Sequence, residues 1–561
     1  MTDILIHPGL VLIGGALLVA CLRGPARGAV VVLLPLLALA LVWQLPDGPA
    51  WQFRFLDYTL TPVAGDPLAR LFATIFCLAA LAGGWFALGQ ASRLEVPAAL
   101  VYAGSAIGVV LAGDLLTVLV FWELMAIGST LVLWSSGTPA AGRASRRYLM
   151  LHILGGVVLF AGITGHVAAT GDVTFAPMAL DSAAQWLILA GVLLNAGAPP
   201  LSAWLPDAYP EASWSGTVFL SAFTTKTAVY VLIRGFPGAE ILIYLGLCMV
   251  FYGIVYALLE NDMRRILAYS IVNQVGFMLT GIGIGTEMAL NGAAAHAFTH
   301  IIYKALLLMS AGSVLYMTGR RKCSELGGLF HSMPVTTACG IVGALSISAF
   351  PLTSGFVSKA MISQAAADGH LQTVWLLLVA ASAGVFLHAG IKFPWFVFFQ
   401  EDSGLRPADP PASMRWAMIF LAAICIGLGI WPEALYRLLP FGVAYEPYTA
   451  PHVLAQLQLL LFSGLAFFVM LPFLRRTLTI TLDTDWAYRQ LVPRLAGQGQ
   501  RAVLAVRGWL AGRRPGVAAG LRALAYRVYG PDGGLARTWP TGSMALWVLV
   551  LLLGYLVLFY A

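Results

Sequence analysis

The chain has 561 residues, 60% of them hydrophobic and only 10% charged, against about 25% charged in an average soluble domain. A water-soluble fold cannot hide that much apolar surface, so composition excludes a soluble enzyme and points to a bilayer. The formal charge of +7 is gathered in short clusters, the pattern of cytoplasmic loops of membrane proteins and not of a nucleic-acid-binding surface.

In chain order, apolar stretches predict spans near 8–22, 28–45, 68–90, 97–112, 114–134, 148–168, 184–205, 216–234, 240–260, 265–284, 290–316, 335–366, 373–394, 413–432, 452–474 and 543–560. That is about 16 crossings of a hydrocarbon core roughly 30 Å thick. The first stretch ends in Leu18-Val19-Ala20-Cys21, which looks like a lipoprotein processing box, but no Lys or Arg precedes it as an export signal requires. Six cysteines (Cys21, Cys77, Cys248, Cys323, Cys339 and Cys425) stand singly, without the paired spacing of zinc or iron–sulfur ligands, so no metal or redox cofactor is expected. With the N-terminus outside, the basic positions Arg23 and Arg27, Arg143 to Arg147, Arg264 and Arg265, Arg320 to Lys322, and Arg475 and Arg476 all fall on the cytoplasmic side. This predicts a multi-pass protein of a bacterial inner membrane with both termini on the outer side.

Two spans are interrupted, at Ala198-Pro199-Pro200-Leu201 and at Phe350-Pro351-Leu352-Thr353-Ser354-Gly355. Proline removes helical hydrogen bonds, and broken backbone at membrane depth is tolerated only inside protein or beside water. The spans from 97 to 234 and those from 240 to 394 each hold one such break followed by a lysine-bearing segment, the pattern of repeat-built transporters. From Arg475 to Arg537 the chain carries eleven arginines and three acids, Asp483, Asp485 and Asp532, dotted with Trp486, Tyr488, Trp509 and Tyr526. This composition predicts a segment on the cytoplasmic membrane surface facing anionic headgroups, with a solvated loop as the plain alternative.

A charge at the bilayer centre costs at least about 2.5–3.5 kcal/mol on insertion scales, so it is seldom present without a partner or a role. Glu123 lies in Leu119-Val120-Phe121-Trp122-Glu123-Leu124-Met125, and Lys226 in Phe223-Thr224-Thr225-Lys226-Thr227-Ala228. The plain reading of these two is a static ion pair joining two helices. His296, His300 and Lys304 recur at i, i+4 and i+8, which lines one helix face over roughly 12 Å at 1.5 Å per residue. Burial brings the pKa of a lysine toward that of histidine, so such a row can pass a proton through one or two waters at small cost. A metal site is disfavoured there, because Lys304 would repel the ion. Lys359 follows the second break. His388 and Lys392 form another i, i+4 pair, a further candidate for the proton path, with snorkelling of Lys392 to the cytoplasmic interface as the plain alternative.

Several ordered motifs resemble the antiporter-like subunits shared by Mrp-type sodium/proton antiporters, respiratory complex I and membrane-bound hydrogenases. They are Phe121-Trp122-Glu123-Leu124-Met125, Trp204-Leu205-Pro206-Asp207-Ala208-Tyr209, Leu220 to Lys226, Asp262 to Ser270, and His300-Ile301-Ile302-Tyr303-Lys304. The resemblance covers roughly residues 60 to 430 and implies an all-α polytopic protein built on two inverted five-helix repeats. It divides the chain into N-terminal spans (1–95), a first repeat (96–235), a second repeat (236–395), additional spans (396–474), the basic surface segment (475–540) and a last span (541–561). Glu123 would be the buried glutamate, Lys226 the bridging lysine, His300 and Lys304 the central relay and Lys359 the terminal site. The local sequence looks most like the D subunit of the Mrp-type complexes, whereas the last spans flanking a basic segment look more like the longest complex I antiporter-like subunit. One departure stands out: Asn195 occupies the position, nine residues before Trp204, where most family members place the lysine of the first channel.

The resemblance implies a transporter subunit, not an enzyme by itself, that works with other hydrophobic subunits in the lipid bilayer and exchanges protons for Na+ or another monovalent cation. Its rivals are a proton-pumping subunit of a complex I-like or hydrogenase complex, and a membrane coupling module for a soluble partner such as a bicarbonate-uptake protein.

Overall fold

The computed structural model describes residues 6–89, 92–473, 483–535 and 540–560, the side chains of 510–515 and 517 excepted. Arg475, Arg476 and Arg537 lie outside the described residues. Two units emerge, Met1–Asp485 and Trp486–Ala561.

The first unit opens with α1 (Pro8–Cys21) and α2 (Gly24–Gln44), each carrying proline in its first turn, where no intrahelical N–H bond is lost. A hairpin follows, β1 (Gly48–Phe55) paired antiparallel with β2 (Tyr58–Gly65); no strand is expected from the hydropathy pattern. Next come α3 (Pro67–Phe86), α4 (Glu95–Leu111), α5 (Leu115–Trp134) and α6 (Pro139–Thr170). Asp66, Asp114 and Thr138 cap α3, α5 and α6 by accepting from backbone N–H groups at Ala69, Thr117 and Ala141, which satisfies donors the first turn leaves orphaned.

At the first break α7 (Ala183–Ala196) ends on left-handed Gly197, and the short α8 (Trp204–Ala208) resumes after the turn. Trp204 Nε1 returns to the Leu194 carbonyl at 2.9 Å, and Arg147 of α6 grips Asp207 through two bonds of 2.8 and 2.7 Å. The motif Trp204-Leu205-Pro206-Asp207 therefore pins the broken segment to its neighbours. The stretch expected as one helix at 216–234 is two, α9 (Gly216–Ala222) and α10 (Thr224–Gly235).

Beyond them lie α11 (Ile241–Leu259), α12 (Met263–Ile284) and α13 (Glu287–Thr318). Helices α11 and α12 approach backbone to backbone: a Cβ at Gly276 would stand 2.5 Å from the Gly246 carbonyl, and one at Gly253 2.6 Å from that of Tyr269. Small residues of this kind let membrane helices pack closely. The second break separates α14 (Pro334–Ile347) from α15 (Ser354–Asp368). Its turn holds Ala349 and Leu352 at φ of 56° and 68°, a strained state for residues with a Cβ. Gly429 makes room for that turn, since a Cβ there would clash with Leu352 backbone atoms.

The unit continues through α16 (Gln372–Val385), whose end passes into π-helical turns at Phe386–Lys392 and Trp395–Phe399, and then α17 (Ala412–Ile430), α18 (Glu433–Tyr436) and α19 (Ala450–Val469). Twelve helical stretches among the described residues are long and apolar enough to cross a membrane, and four shorter apolar helices, α1, α4, α7 and α14, occupy other expected spans. The protein is thus a multi-pass α-helical membrane protein. Burial is graded across it: Gly216–Gly235 and Met263–Ile284 are wholly enclosed, whereas α2 and α19 turn most of their apolar surface outward.

The second unit consists of α20 (Val492–Tyr529), preceded by a π-helical turn at Ala487–Leu491, and α21 (Thr541–Tyr560). The basic segment is therefore one 38-residue helix over most of its described length, and α21 is apolar and exposed all round.

Candidate functional site

Helices α10, α13 and α15 carry five of the eight candidate residues: Lys226, His296, His300, Lys304 and Lys359. Lys226, His296, His300, Lys304, Lys359, His388 and Lys392 are all buried, and Glu123 is half-buried.

The discontinuity between α9 and α10 prepares the place of Lys226. Phe223 leaves the helical ladder with φ −103° and ψ −66°. Tyr102 of α4 inserts its hydroxyl at the gap, accepting from Thr224 N at 2.9 Å and lying 2.5 Å from Thr224 Oγ1. A side chain that enters the ladder is a recognised cause of such kinks. The freed Ser221 carbonyl accepts from Lys226 Nζ at 2.7 Å, and Thr225 Oγ1 accepts at 3.1 Å. The ammonium is held by dipoles alone.

On α13, Lys304 Nζ donates to Ser270 Oγ of α12 at 2.9 Å. The His296 and His300 ring centroids are 6.3 Å apart. His296 Nε2 lies 3.0 Å from Gln274 Oε1, and its Nδ1 lies 3.3 Å from Ser358 Oγ, which is 2.8 Å from Thr299 Oγ1. Ser358 is the neighbour of Lys359 on α15, so His296 is tied directly to the segment after the second break. Neither ring nitrogen of His300 has a partner among the described residues. Lys359 Nζ likewise lacks a hydrogen bond and rests 4.3 Å from the centre of the Phe277 ring, a cation–π contact.

Glu123 lies elsewhere. Its Oε1 fills the space beside Gly156 of α6, where a Cβ would clash with it. No ion pair among the described residues includes Glu123, Lys226, Lys304 or Lys359. The static Glu123–Lys226 pair, the plain alternative, is not formed. Asn195 of α7 is buried beside Gly155 of α6, with both amide atoms unpartnered among the described residues.

His388 sits in the π-helical turn with Nδ1 2.8 Å from the Gly384 carbonyl and Nε2 unpartnered among the described residues. Lys392 is different. Its Nζ donates to the carbonyls of Ala257, Leu258 and Glu260 at 2.9, 2.6 and 2.6 Å, so it caps the C-terminus of α11, where carbonyls are orphaned and a cation is favoured. It does not snorkel.

Buried polar atoms are ordinarily hydrogen-bonded, to protein or to ordered water. The orphaned nitrogens of His300, Lys359 and His388 and the amide of Asn195 are therefore among the places in this interior that call for water. Among the described residues, no three His, Cys, Asp or Glu side chains are grouped to hold a metal.

Residues 112–385 match the transmembrane family described as NADH:quinone oxidoreductase/Mrp antiporter. The D subunit of the Na(+)/H(+) antiporter of Alkalihalophilus pseudofirmus is 31% identical over 356 residues, covering 59% of this chain and 71% of that one. The chain belongs to this family. The A/B subunit of a probable K(+)/H(+) antiporter of Rhizobium meliloti is 32% identical over 361 residues, 59% of this chain. The chain spans only 36% of that relative's length. A chain of the membrane-bound sulfane sulfur reductase, an archaeal respiratory membrane complex, shares the fold with a TM-score of 0.71 at 24% identity, covering 98% of this chain and 99% of that one.

Sequence reasoning within this family singles out the ionised groups and misses their neutral partners. Gln274, which accepts at Oε1 from Tyr303 at 3.2 Å and meets His296, is legible only as a polar residue in an apolar run. The break at Phe223 has no proline or glycine to announce it, because Tyr102, far away in sequence, stabilises it.

Proposed function

We propose that the chain is the proton-translocating subunit of a multi-subunit monovalent cation/proton antiporter, with Na+ as the exchanged ion. Protons move along Glu123, Lys226, His296, His300, Lys304 and Lys359, with His388 at the margin of the path. Residues 96–235 and 236–395 act as two half-channels, and the basic loops face the bacterial cytoplasm with both termini outside.

The observation that carries this reading is a set of enclosed lysines and histidines without fixed counter-charges. Among the described residues Lys226 Nζ bonds only the Ser221 carbonyl and the Thr225 hydroxyl, and Lys304 Nζ only the Ser270 hydroxyl. An unpaired buried ammonium is costly. Its cost is an advantage where the group must take up and release a proton, because neither state is locked. The likeness to the D subunit of a Na(+)/H(+) antiporter supports the choice of cation.

The test is proton flux in vesicles containing the native complex. Lys226→Ala and Lys304→Ala lose ion-coupled proton movement while the subunit remains assembled; full activity in the Lys226 variant overturns the reading.

A second reading is favoured by one observation: the likeness to the respiratory complex chain covers 98% of this chain and 99% of that one. In that reading the subunit pumps protons with energy from redox partners. Purification of the native complex separates the two, since co-migrating iron–sulfur subunits mark the pump and small hydrophobic partners alone mark the antiporter.

A further inference from the structure

Helices α6 and α13 match in length and in both caps. Each has 32 residues, starts after a threonine N-cap (Thr138 and Thr286) and stops at a left-handed glycine (Gly171 and Gly319). Counted from the first residue of each, His152 and His300 are both fourteenth, Tyr148 and His296 tenth, and Gly156 and Lys304 eighteenth. The row His296, His300, Lys304 thus has a counterpart on α6 whose third side chain is missing. Glu123 supplies it: the carboxylate from α5 occupies the space of a side chain on Gly156. Gly156 is four residues after His152 and lies on the same face of α6, so that carboxylate stands about one helical turn from the His152 position. The partner helices correspond as well, since Lys304 bonds Ser270 on α12, the helix before α13 as α5 is before α6.

His152 is buried, stacked on Tyr148 at 3.9 Å and edge-on to Trp204 at 4.7 Å. Its Nδ1 lies 2.9 Å from the Tyr148 carbonyl. A carbonyl can only accept, so Nδ1 carries the hydrogen and Nε2 presents its lone pair. Nε2 has no partner among the described residues. A buried polar atom left without a partner calls for an explanation. Beyond the ring, Tyr148 Oη is 3.0 Å from Ser129 Oγ and 3.3 Å from Thr224 Oγ1, at the start of the helix that carries Lys226.

We infer that His152 is a proton carrier of the N-terminal half, passing protons between the Glu123 carboxyl group and the Tyr148–Thr224 hydroxyls that lead to Lys226. With no direct hydrogen bond between the two groups, the proton passes from the carboxylic acid through an intervening water to Nε2, leaving carboxylate and imidazolium. The same nitrogen then gives it up toward the hydroxyls, and the neutral imidazole returns. The inference rests on the proton-translocating function proposed above.

The experiment measures proton flux and protein abundance in vesicles carrying the native complex with His152→Gln, Tyr148→Phe, Gly156→Ala or Lys304→Ala. His152→Gln keeps an amide N–H for the Tyr148 carbonyl but cannot be protonated, and flux falls about a hundredfold, the scale of a lost acid–base group. Gly156→Ala displaces the Glu123 carboxylate and loses flux through Glu123 alone, so Tyr148→Phe, which keeps the stacked ring and removes the hydroxyl that receives the proton, carries the test if His152→Gln assembles poorly: a loss of like size supports the route and wild-type flux overturns it. Wild-type flux in His152→Gln beside a dead Lys304→Ala overturns the role of His152 alone. Full flux in Lys304→Ala overturns the proposed function itself.

Discussion

Lys304 and Lys392 are both buried lysines on enclosed helical segments, yet their surroundings assign them different work. Lys304 meets one hydroxyl, whereas Lys392 meets the carbonyls at the end of α11. Lys304→Ala is expected to abolish flux with the fold intact. Lys392→Ala leaves those carbonyls unsatisfied, at about 1–3 kcal/mol for a buried group, so thermal melting of the purified complex drops while flux per assembled complex changes little. Measuring both quantities on both variants separates transport from support. Sequence makes the two lysines look alike, since each follows a histidine at i−4; which atoms surround the ammonium is a tertiary fact.

Discontinuous elements are the feature that places charge at depth, and each is held by a partner distant in the chain. Tyr102 holds the gap between α9 and α10. Tyr102→Phe leaves the Thr224 N–H without its acceptor, again about 1–3 kcal/mol, and hydrogen exchange at Thr224 is expected to rise while the rest of α10 stays protected. The seam between α11 and α12 is tighter, because Gly246 and Gly276 face each other. Gly276→Leu forces the backbones apart at about 1–3 kcal/mol or more, and a loss of assembled protein in membranes is the expected readout. The proline-marked breaks were legible in sequence because proline lacks the N–H itself. The Phe223 break, the π-helical turns after α16 and the β1–β2 hairpin were not, because their residues have ordinary local preferences and neighbours decide the outcome.

At the scale of the whole molecule, enclosure runs from the wholly buried α12 and the nearly enclosed α13 out to α2 and α19. Basic residues cluster at the helix ends and turns around Arg143, Arg264 and Arg320, and the proposed orientation puts these on the cytoplasmic side with the hairpin outside. Single cysteines introduced at Gly137 and Gly319 are expected to react with an impermeant thiol reagent only from the cytoplasmic face, and one at Asp57 only from the outer face. Labelling of Gly137 and Asp57 from the same side would reverse that topology.

Composition and hydropathy alone determined that this is a multi-pass helical membrane protein, because a chain with so few charges has no other way to bury its apolar surface. The motifs determined its family, and the prolines two of its breaks. What only the tertiary structure decided is who stands beside whom: that Glu123 faces Gly156 and not Lys226, that Lys359 rests on an aromatic ring, and that Lys392 closes a helix. Hydrophobicity is a sum over residues and can be read along a line, whereas the cost and use of a buried charge depend on the few atoms within hydrogen-bond reach, which the chain brings together only by folding.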